Sequence, residues 1–93
     1  MFAGDLKYFV TTAAGTASAG PGRLWGYVII TDGANAGTVS FLDGGSSGTE
    51  IWSEAITAAA GTAVRFAFAQ GLKFNTNLYI SPTKTGKVSV CFE

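Results

Sequence analysis

The sequence predicts an all-β fold, an antiparallel β-sandwich of about seven to eight short strands, jelly-roll-like or immunoglobulin-like in kind. Three observations carry that expectation. Short runs rich in Val, Ile, Phe, Tyr, Trp and Thr recur along the chain, and many of the 13 glycines fall between them. Several of these runs alternate apolar and polar residues with a period of two, which puts one face of a strand on a core. Helical periodicity, by contrast, is hard to find in any window.

Taken in order, Leu6 to Thr12 is the first extended run, with Tyr8 and Phe9 its aromatic residues. Ala13 to Gly22 follows, made of Ala, Gly, Ser and Thr and closed by Gly20-Pro21-Gly22. Without large side chains it cannot anchor a core, so it is expected to be a loop or linker. Residues 1–22 are therefore expected to form an N-terminal arm or first strand with a small-residue linker, and residues 23–93 the sandwich body. Leu24 to Thr31 is the strongest strand, and the turn Asp32 to Gly37 follows it. Thr38 to Leu42 alternates, with Val39 and Phe41 on one face, and ends in the glycine-rich turn Asp43 to Gly48.

Thr49 to Ile56 is a further strand. A helix over Ile51 to Ala60 is the competing reading, but Ile51, Ala55, Ala58 and Ala59 make a weak stripe that Thr57 and Gly61 interrupt. Thr62 to Ala69 alternates most cleanly, Val64, Phe66 and Phe68 against Ala63, Arg65 and Ala67. Gln70-Gly71 breaks the run before Leu72 to Phe74. Leu78 to Ser81 is stopped by Pro82, Thr85-Gly86 marks a hairpin turn, and Lys87 to Phe92 places Val88, Val90 and Phe92 on one side.

Composition narrows the function. Histidine is absent, so the commonest general base and metal ligand at neutral pH is missing. The single cysteine, Cys91, cannot form an internal disulfide; it alternates with Val90 and Phe92, so it is expected to face away from the core. Asp32 and Asp43 sit beside glycines but flank a strand of five residues, which separates them by roughly 16 Å, too far for a glycosidase pair. Asp32 and Asn35 with nearby carbonyls offer a calcium ion too few oxygens and serve better as turn formers. These residues suggest neither an enzyme nor a cofactor or metal site.

Charged residues are 13% of the chain, and six Lys and Arg balance six Asp and Glu. Phosphate binding needs clustered cations, and Lys7, Arg23, Arg65, Lys73, Lys84 and Lys87 are spread along the sequence, so no nucleic-acid partner is expected. No run reaches the roughly 20 apolar residues of a membrane span. The opening Met1-Phe2-Ala3-Gly4-Asp5 does not resemble a signal peptide, and folding in a cytosol is the expectation.

Surface remains as the carrier of function. Leu24, Val28 and Ile30 are expected on one face of their strand with Gly26, and Trp25, Tyr27 and Ile29 on the other. In Thr49 to Ile56, Trp52, Glu54 and Ile56 oppose Ile51, Ser53 and Ala55. Strands apolar on both faces are central, covered or part of an interface, and Trp and Tyr are enriched at binding hot spots. Trp25, Tyr27, Ile29, Trp52, Tyr8 and Phe9 are accordingly the interface candidates. They suit a sandwich core, a protein partner, or a sugar stacked on Trp25, Tyr27 or Trp52.

The run Leu24-Trp-Gly-Tyr-Val-Ile-Ile-Thr-Asp-Gly-Ala-Asn-Ala-Gly-Thr-Val39, with Phe41-Leu-Asp-Gly-Gly45 after it, resembles small β-sandwich virion proteins of tailed bacteriophages. Gly71-Leu-Lys-Phe74, Leu78-Tyr-Ile80 and Val88-Ser-Val-Cys-Phe92 are similar to the same group, so the likeness spans about residues 23–93. Its motifs are those of β-turns joining strands. The resemblance implies a capsid decoration (cement) protein, or a tail, neck or fibre component. Such a protein is a homo-oligomer, often a trimer, bound to a major capsid or other virion protein and assembled in the host cytoplasm. A carbohydrate-binding module is the alternative from another class.

Overall fold

The computed structural model describes residues 7–30, 36–56, 63–82 and 87–93. These form eight strands: β1 (Lys7–Thr11), β2 (Gly15–Ser18), β3 (Gly22–Ile30), β4 (Gly37–Asp43), β5 (Thr49–Ile56), β6 (Ala63–Phe74), β7 (Leu78–Pro82) and β8 (Lys87–Phe92). One sheet has the order β1-β8-β3-β6 and the other β2-β7-β4-β5, and the pairs within each are antiparallel. The expected all-β sandwich is therefore present. Consecutive strands mostly lie in opposite sheets, and β4–β5 alone are neighbours in both sequence and sheet. That alternation is jelly-roll architecture and not the immunoglobulin arrangement.

Several local expectations change. Residues 7–18 are not an arm and linker apart from the body, because β1 pairs with β8 along its whole length and β2 pairs with β7. The small residues of β2 suit an edge strand that passes close to its neighbours: a Cβ at Gly15 would lie 3.6 Å from the Phe9 ring. Thr85-Gly86 lies outside the described residues, and the strands on either side, β7 and β8, belong to different sheets, so they do not pair as the expected hairpin. A glycine-rich turn signals that the chain reverses, not which sheet receives it. Thr49–Ile56 is a strand, so the helical reading of that segment falls for its described part. Asp32 to Asn35 of the Asp32–Gly37 turn, Lys84 and the whole Thr57–Gly61 turn lie outside the described residues.

The core lies between the sheets. Leu24, Ile29, Phe74, Val88 and Val90 from the first meet Val39, Phe41, Leu78 and Ile80 from the second, all essentially inaccessible to solvent. Val39 and Phe41 on β4, and Val88, Val90 and Phe92 on β8, face inward as their alternation predicts. At one end of β3 the chain approaches Glu93 so closely that a Cβ on Gly22 would fall 1.8 Å from the Glu93 carbonyl oxygen. Glycine there permits the reciprocal backbone bonds between Arg23 and Glu93, at 3.1 and 3.0 Å.

One end of the sandwich is held by two loops that grip each other. The Asp43 carboxylate accepts backbone N–H groups of Asn75, Thr76 and Asn77 at 2.8, 2.8 and 3.3 Å. In return the Asn77 side-chain oxygen accepts the N–H groups of Gly44 and Gly45 at 3.1 and 2.9 Å. The bond from Asn75 N–H, then that from Thr76, holds the Asp43 carboxyl below its ordinary 3.8. A depressed carboxyl stabilises the fold above its unfolded pKa, and that stabilisation is lost as pH falls through the folded value. Asp43→Ala should therefore lower the melting temperature at pH 7, with the gap from the parent closing below 3.8. Thermal unfolding from pH 7 down to pH ~2 checks this; a gap that stays constant would show that the clasp does not stabilise through the charge.

Candidate assembly surface

The residues singled out for a surface role do not share one face, and a bulge explains why. Between Leu24 and Gly26 the register of β3 slips against both β8 and β6. A bulge adds one residue and reverses the inside–outside sense beyond it. Leu24 thus faces the core, and after Trp25 so do Tyr27, 3% exposed, and Ile29, fully buried. Val28 and Ile30 turn outward instead, Ile30 being 43% exposed. The expected division of β3 into a Leu24/Val28/Ile30 face and a Trp25/Tyr27/Ile29 face is therefore corrected. Opposite the bulge, Gly71 adopts a positive φ of 72°, and a Cβ there would press on Arg23 and on the Trp25 ring at 3.3 Å.

Tyr27 anchors an aromatic cluster inside the sandwich. Its ring lies 4.8 Å from that of Phe41 and 6.2 Å from that of Phe68. Trp52 stands edge-on to Phe68 at 5.1 Å and 87°. The Trp52 indole donates to the Tyr27 hydroxyl at 2.8 Å, and that hydroxyl donates to Glu54 Oε1 at 2.5 Å. Burial, then the bond to Glu54, pushes the Tyr27 phenol up to about 12. This chain of polar groups joins β3 to β5 across the layers, so it holds the two sheets together. It is not a sugar platform: Tyr27 is covered, while Trp25 and Trp52 belong to different sheets. Trp25 donates its indole N–H to Glu93 Oε1 at 3.2 Å.

The first sheet turns a distinct surface outward. Phe9 packs on the core, so its neighbours Tyr8 and Val10 point away from it, 72% and 55% exposed. Register places Tyr8 beside Cys91 and Gly26, Val10 beside Ser89 and Val28, and Lys87 beside Ile30. Tyr8, Val10 and Ile30, the large apolar side chains most exposed among the described residues, thus share one face. Cys91 faces outward as expected, half-buried, and its hydrogen bond with Tyr8 raises the Tyr8 phenol above 10.0. The outer face of the second sheet differs in kind. Its rows run Thr16–Tyr79–Leu42–Glu50, Ser81–Ser40–Ser53 and Thr38–Ala55. It is rich in hydroxyls.

Of the six interface candidates, then, Tyr27 and Ile29 are core, Phe9 and Trp52 pack against it, and Trp25 sits half-buried at the bulge. Tyr8 alone stands open. Val10 and Ile30 complete its patch; neither is aromatic, and the bulge that turns Ile30 outward is marked in the sequence only by Gly26 inside the strand. Among the described residues no group of three or more His, Cys, Asp or Glu is placed to hold a metal ion.

No family model matches the chain, and no curated protein matches it. A solved structure from Bacillus, described as endospore appendages that form a novel family of disulfide-linked pili, is similar over 95% of this chain and 80% of that one. The TM-score is 0.54 and the sequence identity 21%, so the likeness is one of fold.

Proposed function

We propose that the chain is a non-enzymatic structural subunit that assembles with copies of itself. The observation that carries this reading is the outward face on which Tyr8, Val10 and Ile30 lie together. An apolar patch on a small domain of low charge favours association over dispersal.

Two finer assemblies suit such a subunit. The pilus with the same fold suggests a filament; the resemblance to phage virion proteins suggests a decoration subunit on a capsid shell. The linkage differs from that pilus in one respect. With one cysteine in its 93 residues, two copies can share at most one disulfide, which makes a pair and never a chain of copies. Growth of this sequence beyond pairs therefore rests on contacts other than disulfides.

Sedimentation and electron microscopy of the purified chain test the proposal, with oligomers or filaments expected and a strict monomer at high concentration overturning it. Adding empty capsid shells separates decoration from filament formation. Replacing Tyr8, Val10 and Ile30 together by threonine keeps β-propensity while removing apolar area. That variant should self-associate at least about tenfold more weakly while melting as a folded protein.

A further inference from the structure

The chain is neutral overall, yet its charges are sorted by sheet. The strands of the first sheet carry Lys7, Arg23, Arg65, Lys73 and Lys87 and no Asp or Glu. The strands of the second carry Asp43, Glu50 and Glu54 and no Lys or Arg. Arg23, Lys73 and Lys87 are exposed on the first, and Glu50 on the second. Glu93, which follows β8, is the one described acid beside the cationic sheet, and it is engaged by Trp25. Glu54 points inward to Tyr27 and Asp43 is engaged by the 75–77 loop. The outer face of the second sheet therefore bears hydroxyls and one carboxylate, Glu50, whereas the outer face of the first bears Arg23, Lys73 and Lys87 with the apolar patch.

From this sorting, and resting on the self-assembly proposed above, we infer that the patch-bearing face of one copy docks on the Ser/Thr-rich outer face of the next. Two cationic faces meeting each other would bring Lys87 and its neighbours against like charges, which suppresses that pairing. The opposite pairing sets cations against Glu50 and lets Tyr8, Val10 and Ile30 rest on the rows Ser81–Ser40–Ser53 and Thr38–Ala55, whose small side chains allow close approach. The extents of 35 × 29 Å give each broad face an area on the order of 1000 Å2, enough for the roughly 800 Å2 per partner of a standard interface. Because the two faces are on opposite sides of one plate, each docked copy leaves a fresh face exposed. Such a heterologous contact yields an open stack unless its rotation closes a ring.

The test uses Lys87→Glu and Glu50→Lys, both at exposed positions, with folding confirmed by circular dichroism. Each variant alone should self-associate roughly tenfold more weakly at low salt, and raising salt to about 0.5 M should weaken the parent similarly. An equimolar mixture should assemble again, because each variant's faces then meet charges of opposite sign. A contact between two cationic faces predicts otherwise: Glu50→Lys would change nothing. Association that ignores salt and both substitutions overturns the stacking but leaves self-assembly standing. A parent chain that is monomeric throughout overturns both. Tight binding of a short DNA duplex, lost with Lys87→Glu, by a parent that does not self-associate would assign the cationic face to nucleic acid and overturn the stacking.

Discussion

Replacing Phe41 by alanine is expected to cost about 3–5 kcal/mol, since the full ring is removed from a fully buried site. Phe41 is fully buried at the middle of β4, where it pairs in register with Trp52 on one side and Ile80 on the other. Its ring lies 4.8 Å from that of Tyr27 in the facing sheet, so the cavity would open between the layers. Domains of this kind are stable by roughly 5–15 kcal/mol in total, and one kcal/mol moves the melting temperature by about 4–8 °C. A loss on the order of 15–30 °C follows. Urea titration should show a lower midpoint with an unchanged slope, and Phe41→Leu should recover most of the loss. A deficit under about 1 kcal/mol for alanine would mean that the sheets close over the gap.

Phe41 was also legible in advance, and the contrast with Tyr27 shows where sequence reasoning stops. Thr38 to Leu42 and Lys87 to Phe92 alternate without interruption, so counting by twos identifies Val39, Phe41, Val88, Val90 and Phe92 as core. In β3 the same counting fails after Trp25, because a bulge adds a residue there. Its one sequence trace is Gly26, a glycine inside a strand, which marks a bulge or a close backbone approach without saying which. Gly15 to Ser18 was invisible for another reason. Its pairing with β7 comes from the position of an edge in the finished sandwich and not from any preference of Gly, Thr, Ala and Ser for strands.

The assembly surface shows the same limit. Arg23, Lys73 and Lys87 are scattered along the sequence and share one outward face only because topology places β3, β6 and β8 in one sheet. Crossing between layers at most connections is what sorts them. A nearest-neighbour reading of the turns, which pairs each strand with the next, would mix these cations with Glu50 and remove the separation.

Tyr27→Phe is the second large effect, expected at about 2–3 kcal/mol, because it removes one oxygen while keeping the ring and its packing. That oxygen accepts from Trp52 and donates to Glu54, so both lose a partner inside the sandwich. Bonds to charged groups are worth roughly 1.5–3 kcal/mol, more than bonds between neutral ones. The pH dependence isolates the cause. An unfolded tyrosine ionises near 10.0, whereas folded Tyr27 keeps its proton up to about 12. The stabilisation is therefore complete below 10.0 and disappears as pH rises from there through about 12. The parent should lose stability across that interval more steeply than Tyr27→Phe, the two curves converging at the alkaline end. Glu54→Gln keeps an acceptor but removes the charge, so with Tyr27→Phe it completes a cycle whose coupling should exceed about 0.5 kcal/mol. Parallel curves for parent and Tyr27→Phe, or additive single effects, would mean that packing of the Phe41, Phe68 and Trp52 rings alone joins the two sheets at this point.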